Sequence, residues 1–261
     1  MKKLTVLFLL TLLVITGCGS SRPTDADRAL YREAVANIQD TTAIHMDVRF
    51  TANYMVDGQK DEEESMEFMM SIIDSDINSK DLSTKTFVMS STAEDFDYEM
   101  TMNFKDNNLY LDFMGVKLIQ PMDDDILPGY DIQDILGYQN FVDMFDDSDD
   151  ALAAMVVNRR ENGIDFELKT KKMLETLINA FLQDEAYDEF SLRVKNPQFT
   201  IRVSNEGVFD GFFGSIELLD DSSKTDSFQV DVDIDFVATN DAVKFVTPKW
   251  DDYIDASKLG A

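Results

Sequence analysis

A strict two-residue alternation constrains this chain most. Ile44, Met46, Val48, Phe50, Ala52, Tyr54 and Val56 are separated by His45, Asp47, Arg49, Thr51, Asn53 and Met55, and of those six spacers only Met55 is apolar. Successive side chains of a strand point to opposite faces, so a period of two held this long predicts a long β-strand with one buried and one wet face. A helix would scatter the same residues around its whole circumference. Strands that are apolar on one side only are the material of antiparallel sheets.

The period recurs along the chain. Met66, Phe68, Met70 and Ile72 give a second strand, and Phe87 and Met89 begin a third. Tyr98, Met100, Met102 and Phe104 form the next, with Glu99, Thr101, Asn103 and Lys105 opposite. Leu109, Leu111 and Phe113 follow, and then the run Val116 to Ile119. Asp57-Gly58, Lys105-Asp106-Asn107-Asn108 and Gly115 supply the turns. After an acidic, turn-rich stretch at 121–155, Val156 to Lys169 reads as a hairpin around Glu161-Asn162-Gly163. Later strands are expected at Phe190–Val194, Phe199–Val203, Val208–Leu219, Phe228–Phe236 and Val243–Val246, punctuated by Pro197 and Asn205-Glu206-Gly207. Val116-Lys117-Leu118-Ile119-Gln120-Pro121 is echoed by Val243-Lys244-Phe245-Val246-Thr247-Pro248, which suggests two meanders ending alike.

Helices are fewer. Thr24, with Asp27 three residues on, predicts an N-cap before a stripe of Tyr31, Ala34, Val35 and Ile38. Asp131–Leu136 and Ser148–Met155 are short helix candidates. Thr170 caps a candidate whose Met173, Leu174, Leu177, Ile178, Phe181 and Leu182 share one face.

The N-terminus carries a different signal. Met1-Lys2-Lys3 is a positive start, Leu4 to Ile15 is almost unbroken apolar sequence, and Ile15-Thr16-Gly17-Cys18 follows. The apolar run is about half of the roughly 20 residues that span a bilayer, so it reads as a cleaved export signal. Ile15-Thr16-Gly17-Cys18 resembles the lipobox of bacterial lipoproteins, which implies a diacylglyceryl group on the Cys18 thiol and cleavage before it. Cys18 is the only cysteine, so no disulfide forms within the chain. The expected organisation is a signal peptide at 1–17, the lipidated cysteine and tether at 18–24, and a single domain at 25–256.

Composition excludes some functions. The net charge is −28, and losing Lys2 and Lys3 with the signal takes it to about −30. Such a surface repels phosphate backbones, so nucleic acid is excluded as a partner. The 44% hydrophobic and 11% aromatic content nevertheless supports a true core.

Catalysis has little to stand on. His45 is the only histidine and falls on the wet face of the first strand. The sequence contains no Gly-x-Ser-x-Gly turn, phosphate loop or His-Glu-x-x-His. Asp231, Asp233 and Asp235 share a strand face and read as solvated carboxylates. A two-carboxylate enzyme therefore ranks last among the readings. Asp74-Ser75-Asp76-Ile77-Asn78 matches the first ligand positions of an EF-hand loop. Ser79 then replaces the required glycine, and Lys85 stands where a bidentate glutamate is needed. No metal, cofactor or enzymatic activity is expected. Trp250, the sole tryptophan, is assigned to packing.

The lipobox, the N-terminal helix, the long one-sided strands, the central helical region and a last run of Val-Lys-Phe-Val-Thr-Pro together resemble a known arrangement. It is that of uncharacterised Gram-positive surface lipoproteins sharing the open barrel of the LolA and LppX/LprG-type lipoproteins. The resemblance implies an α+β fold, a strongly curved antiparallel sheet forming an unclosed barrel with helices on its concave face. It also implies a lipid-anchored place on the extracytoplasmic side of a Gram-positive cell membrane, and a hydrophobic interior that takes acyl chains. From the residues themselves, ten of the 14 methionines lie between 46 and 122, and flexible thioethers suit an adaptable apolar wall. Met46, Val48, Phe50, Met66, Phe68, Met70, Met100, Met102 and Phe104 are the candidate ligand-facing residues, with Met89 beside them. The leading expectation is a non-enzymatic carrier or binder of a lipid-like ligand; the alternative is a cell-envelope interaction or structural module without one.

Overall fold

The computed structural model describes residues 21–57, 59–79, 81–93, 96–122, 147–168, 192–220 and 226–256. The export signal, Cys18 and the helix candidates at Asp131–Leu136 and after Thr170 lie outside the described residues. Helix α1, Asp25–Gln39, begins where the sequence places it. The Thr24 hydroxyl accepts from the Asp27 backbone N–H at 3.3 Å, and the Asp27 carboxylate accepts from the Thr24 backbone N–H at 2.7 Å, which completes a capping box. Asp27, Tyr31, Ala34, Val35 and Ile38 are its buried residues.

Strand β1, Ile44–Val56, has the bounds of the alternating run. It is followed by β2 (Gln59–Asp74), β3 (Lys85–Ala93), β4 (Phe96–Lys105), β5 (Asn108–Phe113) and β6 (Val116–Pro121). Positive φ at both Asp106 and Asn107, and again at both Met114 and Gly115, gives the two-residue turns whose twist suits a hairpin. Helix α2, Asp149–Ala154, is capped by Ser148. Strands β7 (Met155–Arg160), β8 (Gly163–Leu168), β9 (Leu192–Ser204), β10 (Phe209–Asp220) and β11 (Ser227–Thr239) follow. The short β12, Ile254–Asp255, comes last.

Among the described residues twelve strands make one sheet in the order β12-β6-β5-β4-β3-β2-β1-β11-β10-β9-β8-β7. It is unclosed, strongly curved and mostly antiparallel. Among the described residues only β12 on β6 is parallel. Directly paired residues share a face, so the register writes out rows across the sheet. One row runs Val157, Phe166, Ile201, Phe212, Ile234, Val48, Met70, Met89, Met100, Phe113 and Val116, with one apolar residue from each strand β1 to β11.

The core sits where α1 and α2 meet β7 to β10. Tyr31 packs edge-on against Phe166 at 5.0 Å and Phe209 at 6.1 Å, among Leu152, Met155, Val157, Ile201 and Val203. Each such side chain contributes about 1.5–3 kcal/mol on full burial. Gly211 is required where the pairing of β10 with β9 shifts register. Its φ is +152°, and a Cβ there would lie 1.9 Å from the Ile234 carbonyl oxygen.

Three expectations are corrected. Strand β2 starts at Gln59 instead of Met66, because the hairpin pairs Gln59, Lys60 and Asp61 with Val56, Met55 and Tyr54 before an irregularity that leads to Met66. Residues 192–204 form one strand and not two. Proline lacks an N–H, and the break at Pro197 is absorbed by an irregularity in the pairing with β10 and by positive φ at Asn196. Val243–Val246 is not a strand: residues 243–249 have no regular structure and Val246 is 78% exposed. The echo with Val116–Pro121 is therefore one of sequence alone, and the edge of β6 is met by β12 instead.

Candidate functional site: the apolar face of the first six strands

All nine candidate residues share one face. Met46 pairs with Ile72, Val48 with Met70, Phe50 with Phe68, and Ala52 with Met66. The rows continue through Phe87 to Met102 and through Met89 to Met100, and Phe104 lies on the same side opposite Leu109. Met89 joins them by register, as alternation suggested. On the far side of β1, Phe236, Ile234 and Val232 extend the surface into β11. These were not singled out from sequence, although the alternation at 228–236 held the signal.

Burial is graded along the strands. Met46, Phe87 and Phe104 are buried at the end near the start of β1, where Phe87 and Phe104 meet edge-on at 5.8 Å. Val48, Phe50, Phe68, Met70, Met100 and Met102 are half-buried. Toward the opposite end Met66 is 58% and Met114 60% exposed, with Val116 and Phe228 also exposed. The face thus runs from a packed base to an open apolar rim.

A buried ion pair closes the base. Asp74 and Lys85 pair directly across β2 and β3 on the apolar face, 5% and 8% exposed, and the Lys85 ammonium donates to Asp74. The other Asp74 oxygen accepts from the Thr84 hydroxyl at 3.0 Å and the Asp76 backbone N–H at 3.1 Å. The lysine that spoils the calcium motif in sequence therefore holds the motif's first carboxylate. Among the described residues no group of three or more His, Cys, Asp or Glu is placed to hold a metal ion.

The opposite face is mainly polar, with Met69 and Val237 as exposed apolar exceptions. His45 Nε2 lies 2.8 Å from the Ser71 hydroxyl oxygen, and that hydroxyl donates to Asp47 at 2.7 Å. The three residue types of a hydrolase triad meet, but the carboxylate takes the serine proton and does not orient the imidazole, so this is a surface hydrogen-bond chain. Asp233 and Asp235 both accept from the Arg202 guanidinium, at 2.6 and 2.9 Å, while Asp231 accepts from the Ser215 hydroxyl at 2.5 Å.

The C-terminal segment crosses to the β6 edge. Trp250 and Tyr253 both pack edge-on against Tyr110, at 4.6 and 5.3 Å. The Lys105 ammonium lies 5.2 Å from the Trp250 ring and that of Lys117 5.6 Å from the Tyr253 ring. Burial, with the Asp112 charge adding to it, pushes the Tyr253 phenol above its ordinary value of 10.0. Trp250 thus packs, as the sequence assigned it.

No family model matches the sequence, and no curated protein matches it. Among solved structures the chain is similar to LprF from Mycobacterium bovis, at 10% identity and a TM-score of 0.41, over 88% of this chain and 99% of that one. It is also similar to a DUF1329 family protein from Desulfovibrio piger, at 10% identity and a TM-score of 0.25, over 84% and 97% of the two chains. No residue role is carried across from either.

Proposed function

We propose that the protein is a lipoprotein anchored through Cys18 on the extracytoplasmic face of a membrane, where it binds or carries a hydrophobic, lipid-like ligand without catalysis. One observation carries the reading: the apolar face from Met46 to Met102 is packed at its base and exposed toward Met66 and Met114. Soluble proteins rarely leave a contiguous apolar surface of more than a few hundred Å2 in water unless something binds there. The side chains suit a variable acyl guest, because thioethers adjust their rotamers and polarise against it. In this reading the helices line the hollow of a single open-barrel domain spanning residues 25–256.

Native mass spectrometry with lipid extraction tests the proposal on a soluble form that begins at Ser20 and lacks the acylated cysteine. A lipid held in stoichiometric amount, and lost when Met100 and Met102 are both changed to tryptophan, is the expected result. A ligand-free mass that persists after incubation with membrane extract would overturn it and favour an envelope interaction module.

A further inference from the structure

We propose that the β7 edge of the sheet, with the start of α1, is the face that lies against the bilayer. The inference rests on the anchoring of Cys18 in the reading above. Ser21 is already part of the fold: its N–H donates to the Val157 carbonyl at 3.0 Å and its carbonyl accepts from the Val157 N–H at 2.7 Å. Only three peptide units separate it from Cys18. Fully extended, they reach about 11 Å. A headgroup layer is itself roughly 5–7 Å deep, so the tether is largely consumed in crossing it and the first fixed point of the body meets the headgroups.

That fixed point is rigid. Arg159 on β7 donates to the Ser21 hydroxyl at 3.3 Å and, through Nη2, to both oxygens of Asp27 at 2.9 and 2.7 Å. Asp27 is locked in the α1 capping box, so Ser21, the strand edge and the helix start are tied together. Five of the chain's eight arginines (Arg22, Arg28, Arg32, Arg159 and Arg160) belong to this lead-in, α1 and β7. Arg28 and Arg32 pair with Asp149, Arg159 with Asp27, and Arg160 with Asp165 and Asp210. These guanidinium groups therefore brace the edge internally, and the short tether is what sets which face meets the headgroups. The turn between β1 and β2 lies five to six strands away, about 24–29 Å along the sheet.

The full acylated chain is tested in vesicles of phosphatidylcholine and phosphatidylglycerol containing a nickel-chelating lipid. Cys18 is consumed by the anchor, so a spin label on an introduced cysteine is unique. Labels at A153C and N162C, at the two ends of β7, are expected to relax several-fold faster than one at D57C. Twelve Gly/Ser residues inserted between Ser20 and Ser21 should abolish the difference. Equal or faster relaxation at D57C in a chain that floats with the vesicles would overturn this inference alone. A chain that does not float would overturn the anchor, and this inference with it.

Discussion

Asp27 shows how much one buried carboxylate can organise. It closes the α1 capping box and binds Arg159 across to β7 while only 4% exposed. Burial alone would raise its carboxyl, but the Thr24 backbone and hydroxyl bonds and the Arg159 guanidinium together bring it below the ordinary 3.8. A carboxyl held low in the folded state stabilises it above the unfolded value, and that contribution fades as pH falls through the lowered one. Asp27→Asn is expected to cost about 1–3 kcal/mol at pH 7. Thermal melts should show the gap from wild type narrowing below pH 3.8. Lys85 makes the complementary case. Lys85→Met strands the buried Asp74 charge and should cost about 3–5 kcal/mol, whereas the double variant with Asp74→Leu should recover much of it. Urea denaturation midpoints of the three proteins measure this, and equal losses in single and double variants would contradict it.

At the scale of elements, what could be read in the sequence was what the side-chain period writes. The thirteen residues of β1 were bounded correctly, because each alternate position is apolar and Asp57 follows. The α1 stripe and cap were equally legible, and so was the shared face of Met46, Met70, Met100 and Met102. The start of β2 was not, since Gln59 to Glu64 carry no apolar signal and the ladder there passes through an irregularity between Asp61 and Met66. Val243–Val246 failed for the opposite reason: the local pattern suits a strand, but among the described residues it pairs with none. The graded burial of the candidate site was also invisible, because it depends on which end of each strand the base residues fill. The strap that replaces Val243–Val246 protects an edge, since β12 takes two positions on β6 and Trp250 is clamped between Tyr110 and Lys105. Ending the chain at Ala242 uncovers β6, and exposed edges recruit further strands. Sedimentation velocity should show that truncated form self-associating where the full body stays monodisperse; a monodisperse truncated form would assign the strap some other role.

At the scale of the molecule, charge and topology dominate. A net charge of −28 makes the folded body repel itself at low ionic strength. Salt shortens the screening length from about 30 Å at 0.01 M to about 8 Å at 0.15 M, so the melting temperature should rise by several degrees over that range. A flat response in calorimetry would mean that ion pairs such as those of Arg202 already balance the repulsion. The strand order has a separate consequence, one of timing. Strands β1 to β6 and β7 to β11 each pair with neighbours in sequence, but the seam between β1 and β11 joins Ile44 to Thr239. Local hairpins close quickly, while a contact across so much chain must wait for its partner and bear the loop-closure entropy. As the polypeptide emerges from its N-terminus, one edge of β1 stays unpaired until the last long strand arrives. At high concentration the β11 of another molecule can fill that vacancy, which makes exchange of β11 between two copies the assembly error built into this topology.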